Sequence, residues 1–453
     1  MSESTGHFRL VLLVIVGRLR HLRVLKMEGI SMESLATGFH CWPLCSNLSG
    51  VKGKMRIGIN AFGLHATSGG VANHVFNILR LWPVCYPNDE LSLFCDRPGA
   101  DLFASFGMEN TVRIELLDSL DEVRDWVPWL DVYFCPAGVL SPFPLYVPSV
   151  LGLADIQERF FPSYFDKEDL RFRLFHYDWS AHLADRVITV SDFSKRSIVA
   201  LMQVPETKID RIYHCPDELP IDCLRPRELP QSGFEAFAFY PGNNWAHKNH
   251  DRLLKAIRMA KDNGCRIPLV LTGTSLENGY DIAYNASELG IADQVCHLGR
   301  VSRAELSWLY RNANCLAFAS EFEGFGIPVI EARSVGLPVL RGDHTSLPEA
   351  GTAGDCLCDV QSVKSISDGL TRLFEMDAPK DGRCNQEMGS VFSESSFTHS
   401  HRAVFVSAID EFRPWKTGWK DRIKKRYRLR RGLELSDWDR TEATKLLQEA
   451  GPD

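Results

Sequence analysis

The chain alternates short apolar runs with helix-period segments, breaks off, and then does so again; this double alternation restricts its fold more than any other feature. From 55 to about 217, strand-like runs fall at Arg56–Ala61, Leu91–Cys95, Val112–Leu117, Val132–Cys135, Val150–Leu153, Val187–Val190 and Ile209–His214. Helical periods fall at Val71–Leu81, Asp169–Leu183 and Phe193–Met202. Pro216, Pro220, Pro226 and Pro230 then punctuate a polar stretch, read as a linker at 218–233. The alternation restarts with strands expected at Ala236–Tyr240, Leu269–Thr272, Val295–Leu298, Cys315–Ala319, Val339–Arg341 and Cys356–Asp359. Helices are expected at His250–Lys261, Ser275–Leu289, Arg303–Asn312, Ile327–Val335 and Ser362–Phe374. This order predicts an α/β fold with two Rossmann-like, doubly wound domains, at 55–217 and 234–395. A length of 453 residues, too great for one core, agrees with two domains.

Composition excludes several classes. Hydrophobic content of 45% and charged content of 24% are those of an ordinary globular chain. A net charge of −7 gives no sign of general nucleic-acid binding. The thirteen cysteines show no Cys-x-x-Cys pair and no zinc-site spacing, so they read as reduced thiols in a cytosol-like compartment. Residues 1–54 carry an apolar run, Leu10 to Val16, too short to span a bilayer. Met55 opens the first strand, and 1–54 is expected to be a disordered extension.

The chemistry concentrates in one stretch. Cys315–Phe318 reads as a buried strand, followed by Glu323-Gly324-Phe325-Gly326 and a helix from Ile327. A strand, a glycine turn and a helix start place free backbone N–H groups at the positive end of a helix dipole, a phosphate site. Glu323 and Glu331 bracket the turn with seven residues between them. Carboxylates accept hydroxyl hydrogen bonds, so a diphosphate held between two of them fits a nucleotide sugar better than a bare nucleotide. Read without context, Glu323 is equally a carboxylate complementing the dipole, Glu331 an exposed helical glutamate, and Lys248 a solvated surface lysine.

These residues resemble the Glu-x7-Glu signature of the retaining glycosyltransferases of family 4. Further segments in family order strengthen the resemblance: Thr67-Ser68-Gly69-Gly70-Val71, Asp185–Ser194, Tyr240-Pro241-Gly242-Asn243-Asn244-Trp245-Ala246-His247-Lys248, and Ser346-Leu347-Pro348-Glu349. Together they span roughly 55 to 410. The resemblance implies the GT-B architecture, two domains facing across a cleft, with 396–412 as a closing helix that crosses back to the first. It implies a retaining transfer of a hexose from a nucleotide diphosphate sugar to an acceptor hydroxyl, in glycan, envelope polysaccharide or glycolipid synthesis, with no metal or other cofactor. Glu323, Lys248 and Asp155 become the catalytic candidates. Gly69, Gly70, Gly242, Asn243, Asn244, Lys248, Gly324, Phe325, Gly326 and Glu331 become the donor-binding ones.

Two departures stand out. Many relatives have an arginine shortly after the position of Gly242, where this chain has Asn243 and Asn244. Relatives often show His-Asp where this chain reads Ala154-Asp155. These motivate an alternative, a catalytically silent nucleotide-sugar-binding or scaffold protein. The tail, 413–453, is basic in its first part: Lys416–Arg431 holds nine Lys/Arg and one acid, Asp421. Such a run is a solvated arm, or a contact with an anionic membrane surface for a cytoplasmic enzyme whose acceptor is lipid-linked. Asp437-Trp438-Asp439 reads as chance, not as a metal site.

Overall fold

The computed structural model describes residues 53–65, 68–108, 112–216, 219–275, 279–375, 392–413 and 437–449. The expected extension, apart from 53–54, and the basic stretch Lys416–Arg431 lie outside the described residues.

The first sheet comprises β1 (Arg56–Asn60), β2 (Glu90–Cys95), β3 (Arg113–Leu116), β4 (Val132–Cys135), β5 (Ser149–Gly152), β6 (Arg186–Thr189) and β7 (Ile209–Arg211). All pairs are parallel, in the order β3-β2-β1-β4-β5-β6-β7. The second comprises β8 (Ala238–Pro241), β9 (Leu269–Thr272), β10 (Val295–His297), β11 (Cys315–Phe318), β12 (Val339–Arg341) and β13 (Cys356–Leu357). It is also parallel, ordered β10-β9-β8-β11-β12-β13. The strands VYFC, LVLT and CLAF are buried at every position, because helices cover both faces of a parallel sheet. The strand order of each sheet reverses beside its first strand, at β1/β4 and at β8/β11. Loops leaving the carboxyl ends of these strands diverge and open a crevice.

Helices α1 (Gly69–Cys85), α2 (Arg97–Ser105), α3 (Lys167–Leu183) and α4 (Asp192–Met202) cover the first sheet. Helices α5 (His250–Asp262), α6 (Ile282–Glu288), α7 (Arg303–Asn312), α8 (Ile327–Ser334) and α9 (Val363–Glu375) cover the second. Side-chain caps set the starts of α4 and α7. Ser191 accepts from the Ser194 N–H at 3.0 Å, and Ser302 forms a capping box with Glu305. The expected helix Ser275–Leu289 begins only at Ile282. Asp281 caps it, and Tyr280 is held in the loop by paired hydrogen bonds with Asn244.

Helix α10 (Glu394–Glu411) follows the second lobe in sequence but packs on the first. Phe405 stacks on Trp82 of α1 at 5.4 Å, and Arg186 pairs with Glu411 at 3.2 Å. The reading of 413–453 as a single basic tail needs correction. It contains α11 (Asp437–Glu449), whose Ala443 and Leu446 are buried in the first lobe's core. Asp439 of the Asp-x-Asp sequence pairs with Arg159 at 3.6 Å. One i,i+3 apolar pair among charges is too faint a period to read from sequence.

The lobes touch through specific groups. Glu349 of the second lobe accepts from the backbone N–H groups of Asp192 and Phe193, at 2.7 and 2.8 Å. It thereby places a carboxylate at the positive end of α4. Tyr164 donates to Glu321, and Phe322 packs on Phe160 with ring centroids 5.2 Å apart.

Candidate active site between the lobes

The second-lobe wall is built from the ends of β8, β9 and β11. After β8, the Gly242 N–H donates to the Thr272 carbonyl at 2.9 Å, and Asn243 accepts from the Thr274 N–H at 2.8 Å. Gly273 sits so close behind that a Cβ would lie 2.4 Å from the Gly242 oxygen. The chain then makes one 3-10 turn, Ala246–Lys248, and enters α5 through Asn249 at φ +60°. Asn tolerates that left-handed backbone, and here its side chain donates to Ala319 and Val360 carbonyls at 3.0 and 2.8 Å. The His247 carbonyl accepts from the Glu321 N–H at 2.7 Å and from Ser320 Oγ at 3.1 Å. These bonds lock the β8 and β11 loops together. Their product is the contact of Lys248 Nζ with Glu323 Oε1 at 2.6 Å, with 14% and 12% of the two side chains exposed.

Helix α8 starts from Gly326 at φ +103°, where a Cβ would meet Leu347 at 2.8 Å. Pro328 in its first turn has no N–H to leave unmatched. Glu331 is buried on the same helix and accepts from the Tyr310 hydroxyl at 2.6 Å.

The first lobe closes the other side. Gly69, at φ +54°, and Gly70 open α1 opposite α8; a Cβ on Gly70 would lie 4.0 Å from Ile327. Asp155 accepts from the Gln157 N–H at 3.1 Å and faces Gly324, whose missing Cβ would sit 2.6 Å from its Oδ2. Burial raises the Asp155 pKa, and the Glu323 charge adds to this against the Gln157 N–H, Arg173 and Lys248.

A cavity of about 590 Å³ lies between the two walls. It brings together Asp155, Lys248, Glu323, Glu331, Gly69, Gly70, Gly242, Asn243 and the Gly324-Phe325-Gly326 turn. Asn244 is not among them: it is 3% exposed and its amide donates to the Tyr280 carbonyl. Sequence reasoning missed His74, His214, Trp245, Thr272, Gly273 and Arg300, which also line the cavity. The signal for Arg300 was its place just past β10, at the carboxyl end of the same sheet. Lys248 and Arg300 are the lysine and arginine of the lining, against Asp155, Glu323 and Glu331. Among the described residues no group of three or more His, Cys, Asp or Glu side chains is disposed to hold a metal ion. No described helix is long and apolar enough to cross a membrane.

Behind Asp155, Glu158 is 1% exposed and neither carboxyl oxygen has a hydrogen-bond partner among the described residues. Burial pushes its pKa up to about 7, against the pull of Arg159 and Arg173. A raised carboxyl pKa means that stability is complete below pH 4.5, where folded and unfolded chains are both protonated, and is lost as pH rises through 7. The Glu158→Gln variant is therefore expected to be more stable than the parent at pH 8, by up to roughly 3 kcal/mol. The gain should shrink toward zero by pH 4.5, as urea denaturation at several pH values would show.

Residues 226–388 match the family model described as glycosyl transferases group 1. The chain is similar to O-antigen chain mannosyltransferase B of Escherichia coli, 30% identical over 226 residues, which are 48% of this chain and 58% of that protein. It thus spans a little over half the length of that relative. Similarity to O-antigen chain mannosyltransferase RfbU of Salmonella typhimurium is 27% over 302 residues, 63% of this chain and 82% of that one. A glycosyltransferase crystal structure from Rickettsia africae superposes with a TM-score of 0.59 at 14% identity, covering 79% of this chain and 99% of that one. At that identity the likeness is one of fold, and the fold is GT-B.

Proposed function

We propose, from the match of residues 226–388 to the glycosyl transferases group 1 family model, that the chain transfers a hexose from a nucleotide diphosphate sugar to an acceptor hydroxyl, with retention at the anomeric carbon. The observation that carries this reading is the Lys248–Glu323 contact at 2.6 Å inside an interlobe cavity. An ammonium beside a helix N-terminus suits a pyrophosphate. The adjoining carboxylate suits a centre that gains positive charge as the diphosphate leaves.

In this reading the diphosphate lies at the Gly324–Ile327 turn, with Lys248 neutralising the leaving oxygen. Glu331 accepts from ribose hydroxyls, and Glu323 faces the sugar. The acceptor hydroxyl attacks from the face the diphosphate leaves, and a diphosphate oxygen takes its proton. Lys248, Arg300 and the N-termini of α1 and α8 supply positive potential in place of a metal ion in this reading; EDTA should leave turnover unchanged. Mannose is the first sugar to test, since both O-antigen relatives are mannosyltransferases. The acceptor is proposed to be a glycan or lipid-linked glycan of envelope synthesis.

Incubating the protein with a panel of labelled nucleotide sugars and an envelope glycolipid extract tests the reading. Transfer of label from one donor supports it. Ala154 favours the alternative of a silent donor-binding protein, since it gives the cleft no polar side chain there. Binding of a nucleotide sugar without turnover would select that alternative, and binding of none would remove both.

A further inference from the structure

Three histidines from three separate segments meet inside the first lobe: His74 on α1, His214 beyond β7 and His401 on α10. His401 Nδ1 lies 2.8 Å from the Phe397 carbonyl oxygen, and His401 Nε2 lies 3.1 Å from His74 Nε2. His74 Nδ1 faces His214 Nδ1 at a longer 3.4 Å. His74 and His214 also line the cavity.

The chemistry orders the protons. A carbonyl only accepts, so His401 carries its hydrogen on Nδ1. Burial lowers the pKa of all three imidazoles, to about 3 for His214 and about 4 for His401, so at neutral pH each ring is neutral and holds one hydrogen. His401 Nε2 is therefore bare and accepts from His74 Nε2–H. That leaves His74 Nδ1 bare, to accept from His214 Nδ1–H. The last atom in the series, His214 Nε2, is thereby left unprotonated. The arrangement is not a metal site, because His74 turns opposite nitrogens to its two neighbours.

We propose that this histidine series fixes His214 as a hydrogen-bond acceptor on the cleft wall, and that its Nε2 receives a hydroxyl of the acceptor substrate. A bare imidazole nitrogen pairs with an O–H and is unfavourable beside phosphate oxygens, so it selects a hydroxylated ligand over the diphosphate. His214 also stands against Phe325, with ring centroids 5.6 Å apart, which puts it beside the Glu323–Gly326 turn. It orients the hydroxyl and does not store the proton, because a buried imidazole this weakly basic does not stay charged at neutral pH. The identity of the ligand rests on the glycosyltransferase reading; the order of protons does not.

The test has two arms on the full chain. Long-range proton–nitrogen spectra of protein labelled with 15N-histidine report each tautomer at pH 7.5, with signals assigned from His74→Gln, His214→Phe and His401→Gln variants. The expected result is three neutral rings, with hydrogen on Nδ1 of His214 and His401 and on Nε2 of His74. Hydrogen on Nε2 of His214, or a charged His214, overturns the proposal. In the second arm, His214→Phe should raise KM for the envelope glycolipid extract at least tenfold and change the calorimetric Kd for the donor less than twofold. His214→Gln, whose amide oxygen can accept, should recover part of the loss. An unchanged KM, or an equal loss of donor affinity, overturns the hydroxyl role. A protein that turns over no nucleotide sugar removes the preceding reading and this role with it, and the spectra still decide the proton order.

Discussion

The Glu323→Gln variant is expected to lose about 10²–10³-fold in kcat while its donor Kd and its folding stability change little. The substitution keeps size, shape and a hydrogen-bond acceptor for Lys248, whose Nζ lies 2.6 Å from Glu323 Oε1. It removes only the negative charge. If that charge acts on the cation-like centre that forms as the diphosphate departs, the loss belongs to the chemical step and not to ground-state binding. The loop itself is held by backbone and neighbouring groups: Ser346 Oγ donates to the Glu323 carbonyl at 2.8 Å, and His344 contacts the Glu321 carbonyl at 3.0 Å. Steady-state kinetics and donor calorimetry on both proteins give the answer. A variant with more than a tenth of parental kcat would place Glu323 outside the chemistry.

The Gly273→Ala variant is expected to lose several kcal/mol of stability and at least tenfold in donor affinity. Its backbone has φ +124°, a conformation that side chains strain to adopt. The added methyl would also fall 2.4 Å from the Gly242 oxygen, 2.5 Å from the Gly242 carbonyl carbon and 2.8 Å from the Asn243 nitrogen. All three are backbone atoms, so no side chain can swing away. Relief requires the Gly242–Asn243 turn to move, and Lys248 is carried by the same segment. Gly264→Ala is the matched control: φ is +87° there, but nothing lies within 4 Å of the new Cβ. That variant should cost only about 1 kcal/mol and leave donor affinity intact. Urea denaturation and donor calorimetry on the pair separate the steric effect from the conformational one. Equal, small losses in both would mean that the β8 and β9 loops are not tightly coupled.

Much of the fold was readable because buried parallel strands such as LVLT and CLAF are continuous apolar runs, and helices such as Arg303–Asn312 carry their own capping residues. The second-lobe wall of the cavity was readable for a related reason. Glu323 in a loop, Glu331 on α8 and Lys248 in a 3-10 turn all belong to one lobe, where short sequence motifs mark the strand ends. What escaped depends on contacts between segments remote in sequence. Asn244 faces the protein interior because Tyr280, far along the chain, supplies its partner. Helix α11 docks through two apolar residues and one carboxylate, a signal that no window of sequence carries. His74, His214 and His401 are each unremarkable alone, and only the fold shows that their rings meet.

The central claim is that a sugar-bearing diphosphate lodges against Lys248 and the Gly324–Ile327 turn. The most direct measurement is a crystal structure with the nucleoside diphosphate that most stabilises the protein. The account predicts a phosphate oxygen ~3 Å from Lys248 Nζ and another at a backbone N–H of the turn, with Glu331 on the ribose. A nucleotide bound outside the interlobe cleft, or with its phosphates turned away from Lys248, would contradict it.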